Sequence, residues 1–594
     1  MPYHLCIHKR KYGNYYSFKS NFREDGKIKS KYVYLGNEEM ALKILADFAS
    51  KIPINERLLS FSGEEILSKV LGMLDFQVTI NKAIRNDAKL DAGRFIEMIV
   101  VERALNTFSK WGLADHAHGN SIFSHDTSIP SEKFTEANIY NYMDYLYPNV
   151  DSIQKTLVNN LLRIDGMEPN EVIVDGTSVS CFGDDELDEE TTESEDDESE
   201  AIVREETDNA DKYKELKRVH GYSRNKRPDL AQVNLMIGVS DHYIPLFFQA
   251  FPGNAPDVYM FQAILEKCQR DYASMLSKAR NKYIVFDKGN NNPKNIKDLD
   301  EMCTKWQFHF VASVRPSMVV VKNELQELSI DNAPVIYSQH KTVLRGRTTT
   351  LSLYGETRNV LLYLNEEIMK KKRDRFRENV AQVKEAIREC TGQEGPAKKK
   401  IDTISSLLRK HGLCSCFTLD VKNDVVKCTP NKERLKERIN ALGKYAIFTD
   451  DPRLDAANMM RIYKTTGVVE QEFHLLKSEV EMGPIFHRRP ERIHVHFALI
   501  LWGMMAKAVL KQLLAKSGLE YSFEQLEVKI KEGKVSIGDY FYPDNKSYRI
   551  HKSLKIDKAL KEIFQILKIK WDYFDIDVVP TGGEHDGSEI KVMG

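Results

Sequence analysis

The chain has 594 residues, 42% of them hydrophobic and 29% charged, with a formal net charge of -1. That length calls for several domain-sized units, and the composition excludes disordered, collagenous and membrane-bundle classes. A near-zero charge would argue against a nucleic-acid partner if the charge were evenly spread. It is not: between Asp184 and Asp211 sixteen Asp/Glu face one basic residue, Arg204, and setting that -15 aside turns the chain's -1 into +14. The sequence therefore reads as a basic body carrying one acidic, solvated and disordered insert. Eight scattered cysteines do not form a disulfide framework. Cys414-Ser-Cys416, with Cys428 and His411 nearby, reads as strand packing in preference to a zinc site. The start has no apolar signal region. The most apolar stretch, Phe497 to Leu510, contains Lys507 and is shorter than the ~20 residues a membrane span needs, so the expectation is a cytoplasmic protein with no membrane partner.

Residues 1–60 open with short alternating runs, Tyr3 to Ile7, Asn14 to Phe18 and Lys31 to Leu35, broken by Gly13 and Asp25-Gly26. Asp-Gly between such runs predicts a hairpin. Met1 to Gly36 carries eight Lys/Arg, two Asp/Glu and eight Phe/Tyr, which fits nucleic-acid contact and equally a small sheet with a solvated basic face. Residues 61–165 read as helical and as a candidate DNA-binding region, with apolar spacing over Arg94 to Trp111 and an aromatic stripe over Asn138 to Leu146.

From Glu171 the pattern turns to strands. Val172 to Val179, Val233 to Val239, Ile244 to Phe251, Tyr283 to Phe286 and Phe308 to Val314 are five predicted strands, with helices over Val258 to Ala273 and after Pro293. The order strand, strand, strand, helix, strand, helix, strand predicts an α/β fold with a mixed five-stranded sheet. Two apolar runs end in an aspartate, Asp175 and Asp287, where α/β sheets place ligands. Residues 317–450 interrupt this core with short strands, a charged helix (Glu366 to Arg388) and a returning strand at Lys444, and read as a β-rich and helical insertion domain. The core resumes over 451–518, and 519–594 form a mixed tail.

The strongest local feature is Tyr463-Lys-Thr-Thr-Gly-Val-Val-Glu470-Gln-Glu-Phe-His-Leu-Leu-Lys477. Tyr463, Glu470 and Lys477 are each seven apart and share one helix face, while Ile462, Val469, Phe473 and Leu476 point to a core. By spacing alone this face reads as a solvated Glu–Lys pair or as a metal ligand between two phosphate-binding groups. Two strand-end aspartates plus a helical glutamate supply the hard oxygen ligands that two-metal phosphoryl chemistry needs.

Together these stretches resemble the DDE transposases of bacterial and archaeal insertion sequences, in the branch marked by a tyrosine–arginine–glutamate–lysine helix. The matching pieces are Val174-Asp175-Gly-Thr-Ser, His220 to Gln232, Phe251-Pro-Gly-Asn254, Phe286-Asp287-Lys-Gly-Asn290, Tyr463 to Lys477 and Arg488-Arg-Pro-Glu-Arg-Ile493. The resemblance implies an RNase H-like catalytic core over 166–316 and 451–518, interrupted by the insertion domain. It also implies the catalytic and metal-binding triad Asp175, Asp287 and Glu470, holding two Mg2+ or Mn2+ ions. DNA-phosphate roles fall to Tyr463 and Lys477, with Lys288 and Arg227 as further DNA-contact candidates. The implied partners are double-stranded DNA, as terminal inverted repeats and target, and a second copy of the chain; the implied location is the nucleoid. Relatives with this helix signature can pass through a hairpin at the element end. One position departs from the pattern: Thr466 stands where the family has arginine, and Lys464 is the available substitute. Two rivals stay open, a metal-dependent DNA nuclease without strand transfer and a catalytically decayed DNA-binding relative.

Overall fold

In the computed structural model the described residues are 4–11, 13–24, 27–50, 55–84, 90–106, 109–125, 128–182, 213, 215–222, 227–272, 283–339, 342–392, 396–422, 425–465, 467, 483–541, 547–554, 556–570 and 574–579. The acidic tract, Thr466, Glu470 and Lys477 lie outside them.

Strands β1 (His4–Arg10), β2 (Gly13–Glu24) and β3 (Lys27–Asn37) form an antiparallel sheet, and β2 and β3 pair up to Glu24↔Lys27; Asp25 and Gly26 themselves lie outside the described residues. Helix Glu38–Ser50 covers one face, where Val33, Leu35, Ala41 and Ile44 are buried. Next comes β4 (Asn55–Ser60), followed by helices Ser62–Met73, Phe76–Ala83, Ala92–Leu105, Lys110–Gly119, Glu136–Leu146 and Val150–Leu161.

The central sheet starts with β5 (Glu171–Ser180), β6 (Gln232–Ser240) and β7 (Pro245–Pro252), all antiparallel neighbours. Helix Asp257–Lys267 leads to β8 (Tyr283–Phe286), and helix Pro293–Trp306 to β9 (His309–Ser313). Strand β8 lies parallel to both β5 and β9. Every residue of β6 is buried, which is why the run is continuously apolar apart from its ends and Asn234. These are the five expected strands, but among the described residues the sheet has nine. After β9 the chain builds β10 (Val335–Gln339), β11 (Thr342–Leu353) and β12 (Glu356–Asn365), and later returns as β15 (Lys444–Thr449) between β12 and β9. The resulting order is β10-β11-β12-β15-β9-β8-β5-β6-β7. The edge of β9 takes β15 as its partner and so widens the sheet.

Between β12 and β15, helices Glu366–Gly392 and Ala397–Lys410 pack with the hairpin of β13 (Phe417–Lys422) and β14 (Val425–Pro430) around their own small core, including Val383, Ile404 and Leu408. Cys416 is buried in that core and Cys414 is exposed on a short turn just before β13. At the end of the chain β16 (Lys534–Phe541), β17 (Ser547–Ser553) and β18 (Phe574–Val579) form a sheet that β4 completes, pairing Ser60↔Lys534 through Asn55↔Asp539. Residues 55–60 and 534–579 thus share one sheet.

The apolar stretch expected to be about 14 residues long belongs to the 27-residue helix Pro490–Lys516. Its length and composition would suit a membrane crossing, but 94% of its most apolar window is buried inside the protein. A helix apolar on all sides needs core on all sides, and this one packs against helices Ala92–Leu105, Ser62–Met73 and Glu136–Leu146 and against β7. Gly503 makes the closest crossing possible: a Cβ there would lie 2.9 Å from Ala104 Cβ. Trp502 Nε1 donates to Gln154 Oε1 at 2.8 Å, and Gln154 Nε2 donates to the Leu246 carbonyl at 2.9 Å, tying the helix to β7.

Candidate active site

Across the parallel β5–β8 pair, Val174 faces Phe286. Asp175 and Asp287 are the next residues on each strand, so the two carboxylates stand side by side on chains ~4.8 Å apart. Asp287 follows the last residue of β8, as expected. Asp175 does not end its strand, because β5 continues to Ser180 with β6 as partner after β8 has stopped. It marks the end of parallel pairing, a step in the sheet that leaves room beside it.

Both aspartates line a cleft of about 590 Å³. The facing wall comes from helix 456–465, which follows β15 and brings Tyr463 and Lys464, and from Tyr337, Tyr363 and Tyr445 on β10, β12 and β15. Ile462, one residue before Tyr463, is buried and anchors the helix as its predicted apolar face requires. The Lys464 ammonium lies 3.7 Å from the centre of the Tyr337 ring, a cation–π contact that holds the cation in the cleft. Tyr363 stacks on Tyr445 with ring centres 5.4 Å apart. Burial, and then the neighbouring Tyr463, Tyr445 and Asp287, push the Tyr363 phenol above its ordinary pKa, so it stays protonated.

Asp287 is exposed and Asp175 half-buried. The Ser313 hydroxyl, at the end of β9, donates to Asp287 Oδ1. The Lys288 amide donates to Ser313 Oγ at 2.8 Å, and Asn291 Nδ2 donates to the Ser313 carbonyl at 2.7 Å. Phe286 pairs with Ala312, so Ser313 occupies the register position beside Asp287. Sequence reasoning missed Ser313; its signal is the position one past the paired apolar run of the neighbouring strand.

The other candidates fall elsewhere. The Lys288 and Arg227 side chains are exposed and are not part of the cleft wall. Arg227 forms a forked pair with Asp229, at 2.8 Å from Nε to Oδ1 and 2.7 Å from Nη2 to Oδ2. Two of the motif stretches meet in the structure. Gly221 packs on Gly253, where a Cβ would lie 2.1 Å from the Gly253 carbonyl oxygen, and Gln232 Nε2 donates to that same oxygen at 2.9 Å. Arg492 makes a forked pair with Asp144, both contacts at 2.8 Å, fastening helix Pro490–Lys516 to helix Glu136–Leu146. His494 stacks on Phe248, and burial lowers its pKa to about 4. His496 is buried with its Nδ1 3.1 Å from Lys110 Nζ.

The model of the transposase DDE domain family matches residues 166–505, which include both aspartates, the cleft helix and the strands between them. The chain belongs to that family. No curated protein matches it. Membership makes this a DNA-acting protein of a class that cuts and transfers DNA strands, generally with divalent metals.

The residues fit such a metal. Two adjacent carboxylates, one fixed through Oδ1, open on a cleft and offer the hard oxygens that Mg2+ or Mn2+ prefers. Among the described residues no group of three His, Cys, Asp or Glu converges, and Glu470, the third ligand expected from the sequence, lies outside them.

Proposed function

We propose that the protein is the transposase of an insertion sequence, hydrolysing a phosphodiester at each element end and joining the freed 3′-OH to target DNA. The observation that carries this reading is the placement of Asp175 and Asp287 at neighbouring register positions in one cleft with Tyr463 and Lys464. The strand order β7-β6-β5-β8-β9, three antiparallel and then two parallel, supports an RNase H-like core.

Asp175, Asp287 and Glu470 would hold two Mg2+ or Mn2+ ions. When bound, such a pair activates the attacking oxygen and stabilises the leaving one. The chain's own residues do the positioning. Ser313 fixes one Asp287 oxygen and leaves Oδ2 for a ligand. Tyr463 offers a phenol to a DNA phosphate, and Lys464 takes the place of the family arginine as a cation held against Tyr337. By sequence spacing Lys477, fourteen residues after Tyr463, would add a second cation for the DNA backbone. Alignment of the reacting atoms and charge stabilisation then account for most of the rate. Two copies of the chain pair the two element ends.

The test uses purified protein, Mg2+ and a duplex carrying the inverted repeat that flanks the gene. Expected products are a cut at the repeat end and joining to a target plasmid, both lost in Asp287→Ala. Cutting with no joined product would replace the transposase reading with a nuclease. No cutting by the wild type on its own repeat would favour a decayed DNA-binding relative.

A further inference from the structure

The β1–β3 sheet has two unlike faces. One is closed by helix Glu38–Ser50. The other carries, by register, His8 beside Tyr15, Lys19 beside Tyr32, and Ser17 beside Tyr34. Tyr32 and Tyr34 are more than half exposed, at 53% and 54%, so they contribute little to any core. Arg10 and His8 are also exposed. This face is organised. Tyr15 stacks on Tyr34 at 6.1 Å, His8 meets Tyr32 at 6.5 Å, and His8 Nε2 is 2.7 Å from Ser17 Oγ. Arg10 lies over the Tyr15 ring at 5.8 Å and Lys19 over the Tyr32 ring at 5.4 Å.

We propose that this face docks duplex DNA, with Arg10 and Lys19 on phosphates and the tyrosine hydroxyls reaching the backbone and groove edges. The proposal rests on the DNA-acting reading above but concerns a surface separate from the cleft. Charge complementarity selects the partner: Arg10 and Lys19 stand on this face, in a segment whose first 36 residues carry eight Lys/Arg against two Asp/Glu, with Lys9 and Lys31 on the opposite face by register. Size agrees, since three strands ~4.8 Å apart span about 10 Å, close to the ~12 Å width of the major groove. The ring contacts select duplex over unpaired strand. A platform for unpaired bases needs open π-faces. Here the faces of Tyr15 and Tyr32 carry cations and Tyr15 is stacked on Tyr34, so these π-faces are already engaged within the protein.

The test measures binding of the full chain to a short mixed-sequence duplex, and to one of its strands alone, by fluorescence anisotropy over a salt series. The double variant Arg10→Glu/Lys19→Glu should bind duplex at least about tenfold more weakly, with a salt slope flatter by about two. Tyr34→Phe, which keeps the ring, should give a smaller loss. Both substitutions sit outside the buried face, and unchanged melting curves would show that the fold is kept. Wild-type duplex affinity and slope in the double variant would overturn the proposal, as would a loss larger for the single strand than for the duplex. Asp287→Ala separates the two readings: it should keep duplex affinity while losing cleavage. Retained cleavage there would sink the assignment of the cleft as the active site, whereas unaltered binding in the sheet variants would sink only the docking face.

Discussion

The two ends of the parallel strands β8 and β9 both carry acidic residues, and they treat them in opposite ways. At the start of the strands, Asp450, Asp451 and Asp300 each have a cationic partner from the protein. His309 Nδ1 is 2.8 Å from Asp450, Arg453 Nε donates to Asp451 at 3.0 Å, and Arg358 grips Asp300 with two contacts. Tyr283 adds a hydroxyl to Asp451 at 3.2 Å. At the other end, Asp175 and Asp287 stand next to each other, and the bond that holds Asp287 comes from a neutral serine. Like charges at that spacing repel, and burying carboxylates with protein cations is the usual remedy. The first end ties its acids into the protein, whereas at the second the two adjacent carboxylates open on a cleft, where their hard oxygens suit a divalent cation. The polar cavity of about 730 Å³ at the first end is a structural network by the same reasoning.

The sharpest way to break this contrast is to remove a carboxylate from each end. Asp287→Ala or Asp175→Ala should lower Mg2+-dependent cleavage by about a thousandfold or more, the several kcal/mol that metal ligation supplies, without a large change in melting temperature. At the opposite end Arg358→Met should do the reverse. Arg358 is 4% exposed and paired with Asp300, so its loss strands a carboxylate and should cost up to about 3 kcal/mol in urea unfolding while leaving turnover per folded molecule intact. If Arg358→Met impaired cleavage as strongly as Asp287→Ala, the two ends would not be functionally distinct.

The contrast also shows how much the sequence discloses. Asp287 was readable because β8 is a four-residue apolar run that stops at the carboxylate. Asp175 was readable as a site residue but not as a strand interior, because the length of β5 is set by β6, a partner more than fifty residues away. The sheet's extra strands follow the same rule. The alternating runs of β11 and β12 were visible, but their attachment through β15 to β9 is a long-range choice with no local signature. The pairing of β4 with β16 is the extreme case, joining segments more than 470 residues apart. Local periodicity specifies elements, while register and edge partners depend on tertiary packing. Ser313 was missed for that reason: nothing in Phe-Val-Ala-Ser separates it from any strand-end serine until β9 is set beside β8.

That serine gives an intermediate test. Ser313→Ala should leave Asp287 present but poorly oriented, raising the Mg2+ concentration needed for half-maximal cleavage by roughly 10-fold, within the range typical of groups that orient metal ligands. Ser313→Thr, which keeps the hydroxyl, should restore it. A Ser313→Ala enzyme with an unshifted Mg2+ requirement would mean that the sheet alone orients Asp287.

The smallest expected effect lies at the neutralised end and depends on pH. The hydrogen bond that His309 donates to Asp450 raises the imidazole pKa against the opposing cost of burial, with Asp450 and Asp451 adding attraction and Arg453 subtracting some. Its Nε2 is 3.7 Å from Asp451, and Tyr283 lies against the ring at 5.9 Å. A folded-state pKa above the unfolded value of ~6.5 means that the folded protein holds this proton more tightly. The contribution is therefore complete below about pH 6.5 and fades as pH rises through the raised folded-state value. The side chain is a third exposed, so solvent screening keeps the effect under about 1 kcal/mol. Urea unfolding of wild type and His309→Gln should differ most on the acid side and converge toward alkaline pH. A gap that widens with rising pH would show that His309 is held neutral. The carboxylates at that end would then be balanced by the arginines alone.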